Sequence, residues 1–114
     1  LTNRIDMRPG VVPLVIHLGQ YDSDFSLVFE LYSSAGNFTV ESGTTAMIRG
    51  TKTDGHGYSA DAVFDDQLKT VTIAGDVQMT AAAGRNVFEI VLFHDGDRLG
   101  SKNFVLDVER FEKV

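Results

Sequence analysis

The chain has 114 residues, a formal net charge of -6 and no cysteine, with 43% hydrophobic and 23% charged residues. This length and composition are typical of one globular domain, and the lack of cysteine excludes disulfides and thiolate metal sites. An acidic chain whose basic residues are scattered singly is not suited to nucleic acid or an anionic membrane, so we expect neither as a partner.

The beginning of the chain predicts an arm followed by strands. Pro9-Gly10 marks a turn and Pro13 an extended entry, so residues 1–13 are interpreted as an N-terminal arm of a single domain over residues 1–114, with one short strand around Ile5 to Met7. Alternating apolar residues then predict three further strands. These are Leu14 to about Gln20, a central strand from Phe25 to Tyr32, and a short edge strand from Phe38 to Val40.

Two Asp-Gly pairs that lie between apolar runs predict β-hairpins. Asp54-Gly55 lies within residues 45–65, and Asp95-Gly96 lies within residues 85–110. Both residue types tolerate the positive φ that tight hairpin turns require. The second pair is the stronger signal, because both of its flanking runs alternate with the period of a strand.

The second hairpin has an apolar face that needs a cover. In its second arm this face consists of Phe104, Leu106 and Val108, which we expect to lie in the core. A hairpin cannot bury such a face alone, so other strands must pack against it. One of these is a strand rich in β-branched residues over 68–73.

Only residues 76–83 have a helical pattern. Asp76 can cap a helix, the alanines favour it and Gly84 suits its end, so we expect a short helical connector. Seven or eight strands with almost no helix predict an all-β fold, namely an antiparallel β-sandwich of immunoglobulin-like size. A small barrel is the alternative.

Candidate metal ligands are dispersed. The three histidines, which lie far apart in sequence, are His17, His56 and His94. Two carboxylate pairs could offer oxygens to Ca²⁺, namely Asp22 with Asp24 and Asp95 with Asp97. Neither pair has the spacing of glycine and distal glutamate that a calcium loop requires, so turn capping is favoured and we expect no metal and no cofactor.

Catalytic motifs are also lacking. Asp65-Asp66 with Glu89 could supply the acid and base of a glycosidase, but any acidic sequence offers such pairs. There is no nucleophile elbow and no phosphate loop, so we expect that the protein is not an enzyme. Asn37-Phe38-Thr39 is a formal glycosylation sequon, a triplet that also arises by chance.

Four segments form a pattern along the chain. The first begins at Gly19-Gln20-Tyr21-Asp22-Ser23 and leads into the strand of residues 25–32, and the others are residues 48–55, 77–84 and 102–109. In this order and spacing they resemble the N-terminal domain of phage baseplate upper proteins, a family also found at the start of tail-fibre proteins from phages and prophages of Firmicutes. The resemblance spans about nine-tenths of the chain.

The resemblance implies a non-catalytic module that anchors a host-recognition appendage to the baseplate. Its partners are then other baseplate or tail proteins, and its location is the virion, with assembly in the bacterial cytoplasm. Longer members continue into a trimeric stalk, so the full-length protein is expected to be a homo-oligomer that leads outward from Phe111. Residues expected on the partner-contact surface are Arg8, Tyr21, Tyr32, Tyr58 and Phe111.

A carbohydrate-binding or adhesive β-sandwich is the second hypothesis, and a glycan is a partner only in that case. It rests on the predicted fold class and on tyrosines that could line a sugar-binding surface, such as Tyr21 and Tyr58.

Overall fold

A computed structural model describes residues 2–8, 10, 13–36 and 38–111 of the chain. The regular secondary structure of these residues consists of eight strands. In chain order they are β1 (Thr2–Asp6), β2 (Leu14–Gly19), β3 (Ser26–Tyr32), β4 (Thr45–Thr51), β5 (Gly57–Asp65), β6 (Thr70–Ala74), β7 (Gly84–His94) and β8 (Asp97–Glu109). They form one sheet in the order β1-β3-β6-β5-β4-β7-β8-β2. In this part of the chain, no helix is long and apolar enough to cross a membrane.

The sheet is mixed and nearly closed into a barrel. Its inner ladders are antiparallel, but both edge strands pair in parallel, β1 with β3 and β2 with β8. β5 and β6 pair only between residues 63–65 and 70–72. The all-β part of the prediction is confirmed. The expected antiparallel sandwich is not clearly present, and the fold is closer to the barrel alternative. The sequence could not distinguish the two, because alternation shows which face of a strand is buried but not which strands pair with each other.

The β7–β8 hairpin has the predicted position and turn. Asp95 and Gly96 are the two turn residues, with φ of 51° and 83°. Positive φ at both positions gives a turn whose twist matches that of the flanking strands. The hairpin ladder runs from the His94–Asp97 pair to the Gly84–Val108 pair, with one irregularity at Leu92/Phe93.

A chain of aromatic rings crosses the core of the barrel. Phe29 of β3 lies 4.8 Å from Phe104 of β8, centroid to centroid, and Phe104 lies 5.9 Å from Phe88 of β7. Tyr58 of β5 continues the chain, edge to face, 5.7 Å from Phe88. The predicted core positions Phe104, Leu106 and Val108 are at most 2% exposed, so that prediction is confirmed.

The barrel has two distinct ends. The hairpin end contains the Asp95-Gly96 turn, residues 33–36 and 38–44, and residues 66–69. The exit end contains residues 20–25, 52–56 and 75–83, and the chain leaves it at Phe111.

Several predicted elements differ from the structure. The strand predicted at Ile5 to Met7 is β1, which ends at Asp6 and makes residues 2–6 of the predicted arm part of the sheet. Phe38 to Val40 is not a strand; Phe38 and Val40 instead pack half-buried against the core at the hairpin end. The helix predicted over residues 76–83 is also wrong, because this segment forms only turns and bends.

Gly50 allows the aromatic chain to close. It pairs with Tyr58 on one side and Phe88 on the other, so all three face the core. A Cβ atom there would lie 2.6 Å from the Val87 carbonyl oxygen and 2.8 Å from a Phe88 ring carbon. Only a residue without a side chain fits between the two rings.

We expect Gly50→Ala to destabilise the domain by about 1–3 kcal/mol, the usual cost of overpacking a core. The free energy of unfolding in urea is the measurement. Gly57→Ala is the matched control, because Gly57 lies at the end of the same hairpin with no atom within 4 Å of an added Cβ. Equal unfolding midpoints for the two variants would contradict the proposed role of Gly50.

Candidate interaction surface

The exit end is closed by residues 75–83, here called the end loop, which join β6 to β7 without regular structure. A helix would bond its carbonyl groups to its own N–H groups four residues later. Instead, groups from elsewhere in the barrel donate to five of the end-loop carbonyls. The donor and acceptor pairs are Lys52 Nζ to Gln78, Tyr21 N to Thr80, Gln20 Nε2 to Ala81, Asn86 Nδ2 to Ala82 and Thr53 Oγ1 to Ala83, at 2.7–3.1 Å.

The end loop also fills the core at this end. Met79 and Thr80 are completely buried, and Ala82 is nearly so. The Thr80 hydroxyl donates to the Asp22 carbonyl at 2.7 Å, which attaches the loop to residues 20–25. A helix of this length is marginal by itself, so the burial of Met79 and the hydrogen bonds from other segments outweigh helix propensity here.

Asn86 connects three segments of the exit end. Its amide nitrogen donates to the Ala82 and Gly84 carbonyls, and its amide oxygen accepts the Thr53 N–H at 2.9 Å. The side chain is 1% exposed, so these groups have no water to replace their partners. Asn86 therefore fixes the end loop and the β4–β5 turn to β7.

Asp76 forms the start of the end loop. Its carboxylate accepts the Met79 N–H at 2.9 Å, as the sequence predicts for a capping residue, and the Tyr58 hydroxyl at 3.0 Å. Burial raises the pKa of Tyr58, and the hydrogen bond and charge of Asp76 add to this effect, giving a pKa of about 12. Tyr58 is thus half-buried and engaged by both the core and the end loop.

An exposed aromatic pair lies on the outside of this network. Tyr21 and Phe111 are 55% and 60% exposed, and their rings meet edge to face at 6.3 Å. Tyr21 has a φ of 69°, and its N–H is held by Thr80. The Phe111 N–H donates to Gln20 Oε1 at 3.0 Å, so one glutamine holds both the chain exit and the end loop.

The other two predicted surface residues lie elsewhere. Tyr32 is at the hairpin end of β3, half-buried under the Arg4 guanidinium, which lies 4.2 Å from its ring centroid. Arg8 is exposed, and its carbonyl accepts a hydrogen bond from Lys102 at 3.0 Å. The five predicted residues therefore do not form one patch; Tyr21, Phe111 and Tyr58 share the exit end.

The histidines lie in three separate places. His17 is near Asp107 on the barrel wall, His56 is in the β4–β5 turn, and His94 is at the hairpin end. In the described residues no group of three or more His, Cys, Asp or Glu side chains could hold a metal ion. The Asn37 of the sequon lies outside the described residues.

The carboxylates of the glycosidase alternative lie on different strands. Asp65 accepts the N–H groups of Gln67 and Leu68, while Glu89 lies on β7 between Arg49 and Arg98, at 3.0 and 3.1 Å. Partial burial raises the pKa of Glu89. The hydrogen bonds from Arg49 and Ser101 and the charges of Arg98 and Arg49 together have a larger, opposite effect, so the pKa of Glu89 lies below its ordinary value. β4 separates the two strands.

Sequence reasoning missed the residues that build the exit end, namely Gln20, Lys52 and Asn86. A signal for two of them was present. Lys52 continues the inward alternation of Ile48 and Gly50, and Asn86 that of Phe88 and Ile90. A polar residue at an inward position must find hydrogen-bonding partners, although its partners cannot be identified from alternation.

Comparison with solved structures shows a likeness of fold. The fold is similar to that of the N-terminal domain of phage TP901-1 ORF48, with a TM-score of 0.71 and 14% sequence identity, over 95% of this chain and 98% of that one. No protein-family model and no curated protein sequence matches the chain. At this identity the likeness is one of fold.

We expect Asn86→Ala to destabilise the domain by about 1–3 kcal/mol, because it leaves buried groups without partners. Urea unfolding measures the loss, and amide exchange should accelerate at Thr53, whose N–H is bonded to Asn86. Asn103→Ala is the control, since Asn103 is exposed on β8 and its loss should cost less than about 0.5 kcal/mol. Unchanged exchange at Thr53 would exclude the connecting role of Asn86.

We also expect Tyr58 to weaken the fold at alkaline pH. Its folded pKa of about 12 lies above the ordinary value of 10.0, so its contribution to stability is complete below pH 10.0 and is lost as the pH rises towards about 12. An ultraviolet titration of the wild type minus that of Tyr58→Phe reports this pKa. A difference curve centred on the ordinary tyrosine value would contradict the hydrogen bond to Asp76.

Proposed function

We propose that this chain is a structural domain of a phage tail or baseplate, and that it anchors a host-recognition appendage through protein–protein contacts without catalysing a reaction. The observation that carries the proposal is the similarity of fold, over almost the whole of both chains, to the N-terminal domain of a phage protein. The sequence resemblance to baseplate upper proteins leads independently to the same class of protein.

The segments that carry the sequence resemblance meet at the exit end. Residues 19–23 bond to residues 77–84 through Gln20 and Tyr21, and residues 48–55 do so through Lys52 and Thr53. β8, which includes residues 102–109, lies beside them, and its Glu109 carbonyl accepts the Gln20 N–H. The four segments that resemble baseplate upper proteins thus form one hydrogen-bonded unit, which supports a relation between this chain and that family.

An anchoring domain needs a rigid surface near the point where the chain leaves it. Tyr21 and Phe111 provide exposed aromatic area of the kind that is enriched in protein interfaces. Both are fixed by main-chain hydrogen bonds to the end-loop network, so little conformational entropy would be lost on binding. In this proposal the pair contacts a neighbouring tail or baseplate protein within the virion.

Changing Tyr21 and Phe111 together to serine is expected to reduce binding to that neighbour at least tenfold. The domain is co-expressed with the tail proteins encoded beside its gene, and the complex is isolated and its affinity measured. The matched control is Val63→Ser with Leu68→Ser, which removes two apolar side chains that are more exposed, at 73% and 68%, but lie towards the hairpin end.

The outcomes separate the hypotheses. Binding lost only in the Tyr21/Phe111 variant supports the anchor and its location. Neighbouring genes unrelated to phage tails would contradict the proposed class. Saturable binding of the isolated domain to a glycan array, abolished by Tyr21→Ala, would favour the carbohydrate-binding alternative. An equal loss of binding in the control variant would contradict a specific contact at the exit end.

A further inference from the structure

β2 is an edge strand that pairs on one side only among the described residues. It pairs with β8, and the opposite edge strand, β1, forms no ladder with it among the described residues. Its inward residues are only half-buried, whereas their ladder partners on β8 are at most 2% exposed. These inward residues are Leu14, Ile16 and Leu18, opposite Phe104, Leu106 and Val108.

The hydrogen bonds at the end of β2 identify which of its main-chain groups point away from β8. The Gln20 N–H donates to the Glu109 carbonyl of the β8 strand. Hydrogen bonding alternates along a parallel strand, so the even-numbered residues of β2 bond to β8 and the odd-numbered ones point away. The Gly19 N–H agrees with this alternation, because it donates to the Asp22 carboxylate and not to β8.

The open edge is therefore short and has a defined end. Asp22 occupies both groups of Gly19, since its carboxylate accepts the Gly19 N–H at 2.9 Å and its own N–H donates to the Gly19 carbonyl at 3.2 Å. Val15 and His17 remain, each with an outward N–H and C=O that no described ladder or loop bond uses. β2 also has no lysine, proline or bulge, the usual protections of an edge.

We propose that two copies of this chain pair antiparallel through β2, with a twofold axis at Ile16. Val15 of one copy then lies opposite His17 of the other, and each of these pairs exchanges both of its main-chain hydrogen bonds. Ile16 faces Ile16 of the second copy, and Leu14 faces Leu18, so the half-buried apolar stripes continue each other.

A second copy fits this edge because the edge is symmetric about its centre. The inward sequence Leu-x-Ile-x-Leu reads the same in both directions, and the free donors and acceptors lie equally on either side of Ile16. Antiparallel pairing of one strand with itself gives the isologous contact of a twofold dimer. This pairing depends only on β2 and is independent of the proposed phage role and of the exit end.

The interface is small and joins two chains of charge -6, so the dimer should be weak at low salt. In light scattering after size exclusion, the mass should rise from 12.5 kDa towards twice that value with increasing concentration, and more so at higher salt. Val15→Pro should remain monomeric, because it removes an outward N–H but no bond to β8. Val15→Ala, which keeps the N–H, should still dimerise.

Disulfide trapping provides a second test that does not depend on proline being tolerated. The chain has no cysteine, so a single introduced cysteine can form a disulfide only with the same cysteine of a second chain. Ile16→Cys should form covalent dimers on mild oxidation, because residues directly opposite in a non-hydrogen-bonded pair are close enough. His17→Cys is the control. The His17 side chain is far more exposed than that of Ile16, but in the proposed pairing the two copies of residue 17 lie diagonally across the interface, too far apart to form a disulfide readily.

The two sets of results decide the proposal. Concentration-dependent dimers with trapping at Ile16 and little at His17 support it, whether or not the exit end binds a tail protein. The proposal would be overturned if the wild type is monomeric at all concentrations and if His17→Cys forms more disulfide-linked dimer than Ile16→Cys, as the greater exposure of residue 17 alone would produce. Dimerisation of a folded Val15→Pro variant as strong as that of the wild type would place the interface elsewhere and would also overturn it.

Discussion

Closure of the exit end depends on one constraint, which is that the carbonyl groups of the end loop must be hydrogen-bonded although the loop belongs to no ladder. A buried carbonyl without a partner costs about as much as a lost hydrogen bond, and this loop carries several beside a completely buried Met79. Donors from other segments meet this need, and three of them are the side chains of Gln20, Lys52 and Asn86. The same bonds hold Tyr21 and the chain exit, so the candidate interaction surface depends on the way the barrel closes.

The rest of the barrel depends on the long β7–β8 hairpin. β4 pairs along one side of it and β2 along the other, and Phe104 from its second arm contacts Phe29 across the core. Gly50 lets the aromatic chain continue to Tyr58, whose hydroxyl reaches the end loop through Asp76. Packing in the core and hydrogen bonding at the exit end are thus connected through one tyrosine.

The two ends and the open edge have different properties and suit different contacts. The exit end presents rigid aromatic side chains, which suit side-chain contacts with a protein of different shape. The β2 edge presents main-chain donors and acceptors beside a symmetric apolar stripe, which suit another extended strand. Because the two proposed contacts use different residues, neither would exclude the other.

The sequence by itself determined most of the strands and both hairpins. Alternation and the Asp-Gly pairs were sufficient for the strands at Leu14, Phe25 and Thr45, for both hairpins and for the buried face of β8, because these features depend on neighbouring residues. Only the tertiary structure decided the parallel pairing of β1 and β2 and the irregular path of residues 75–83. The physical reason is that the partners of Asn86 and Lys52, and those of the two edge strands, lie far away in the sequence. Helix propensity in the end loop was outweighed by the burial of Met79 and by hydrogen bonds that exist only after the barrel has formed.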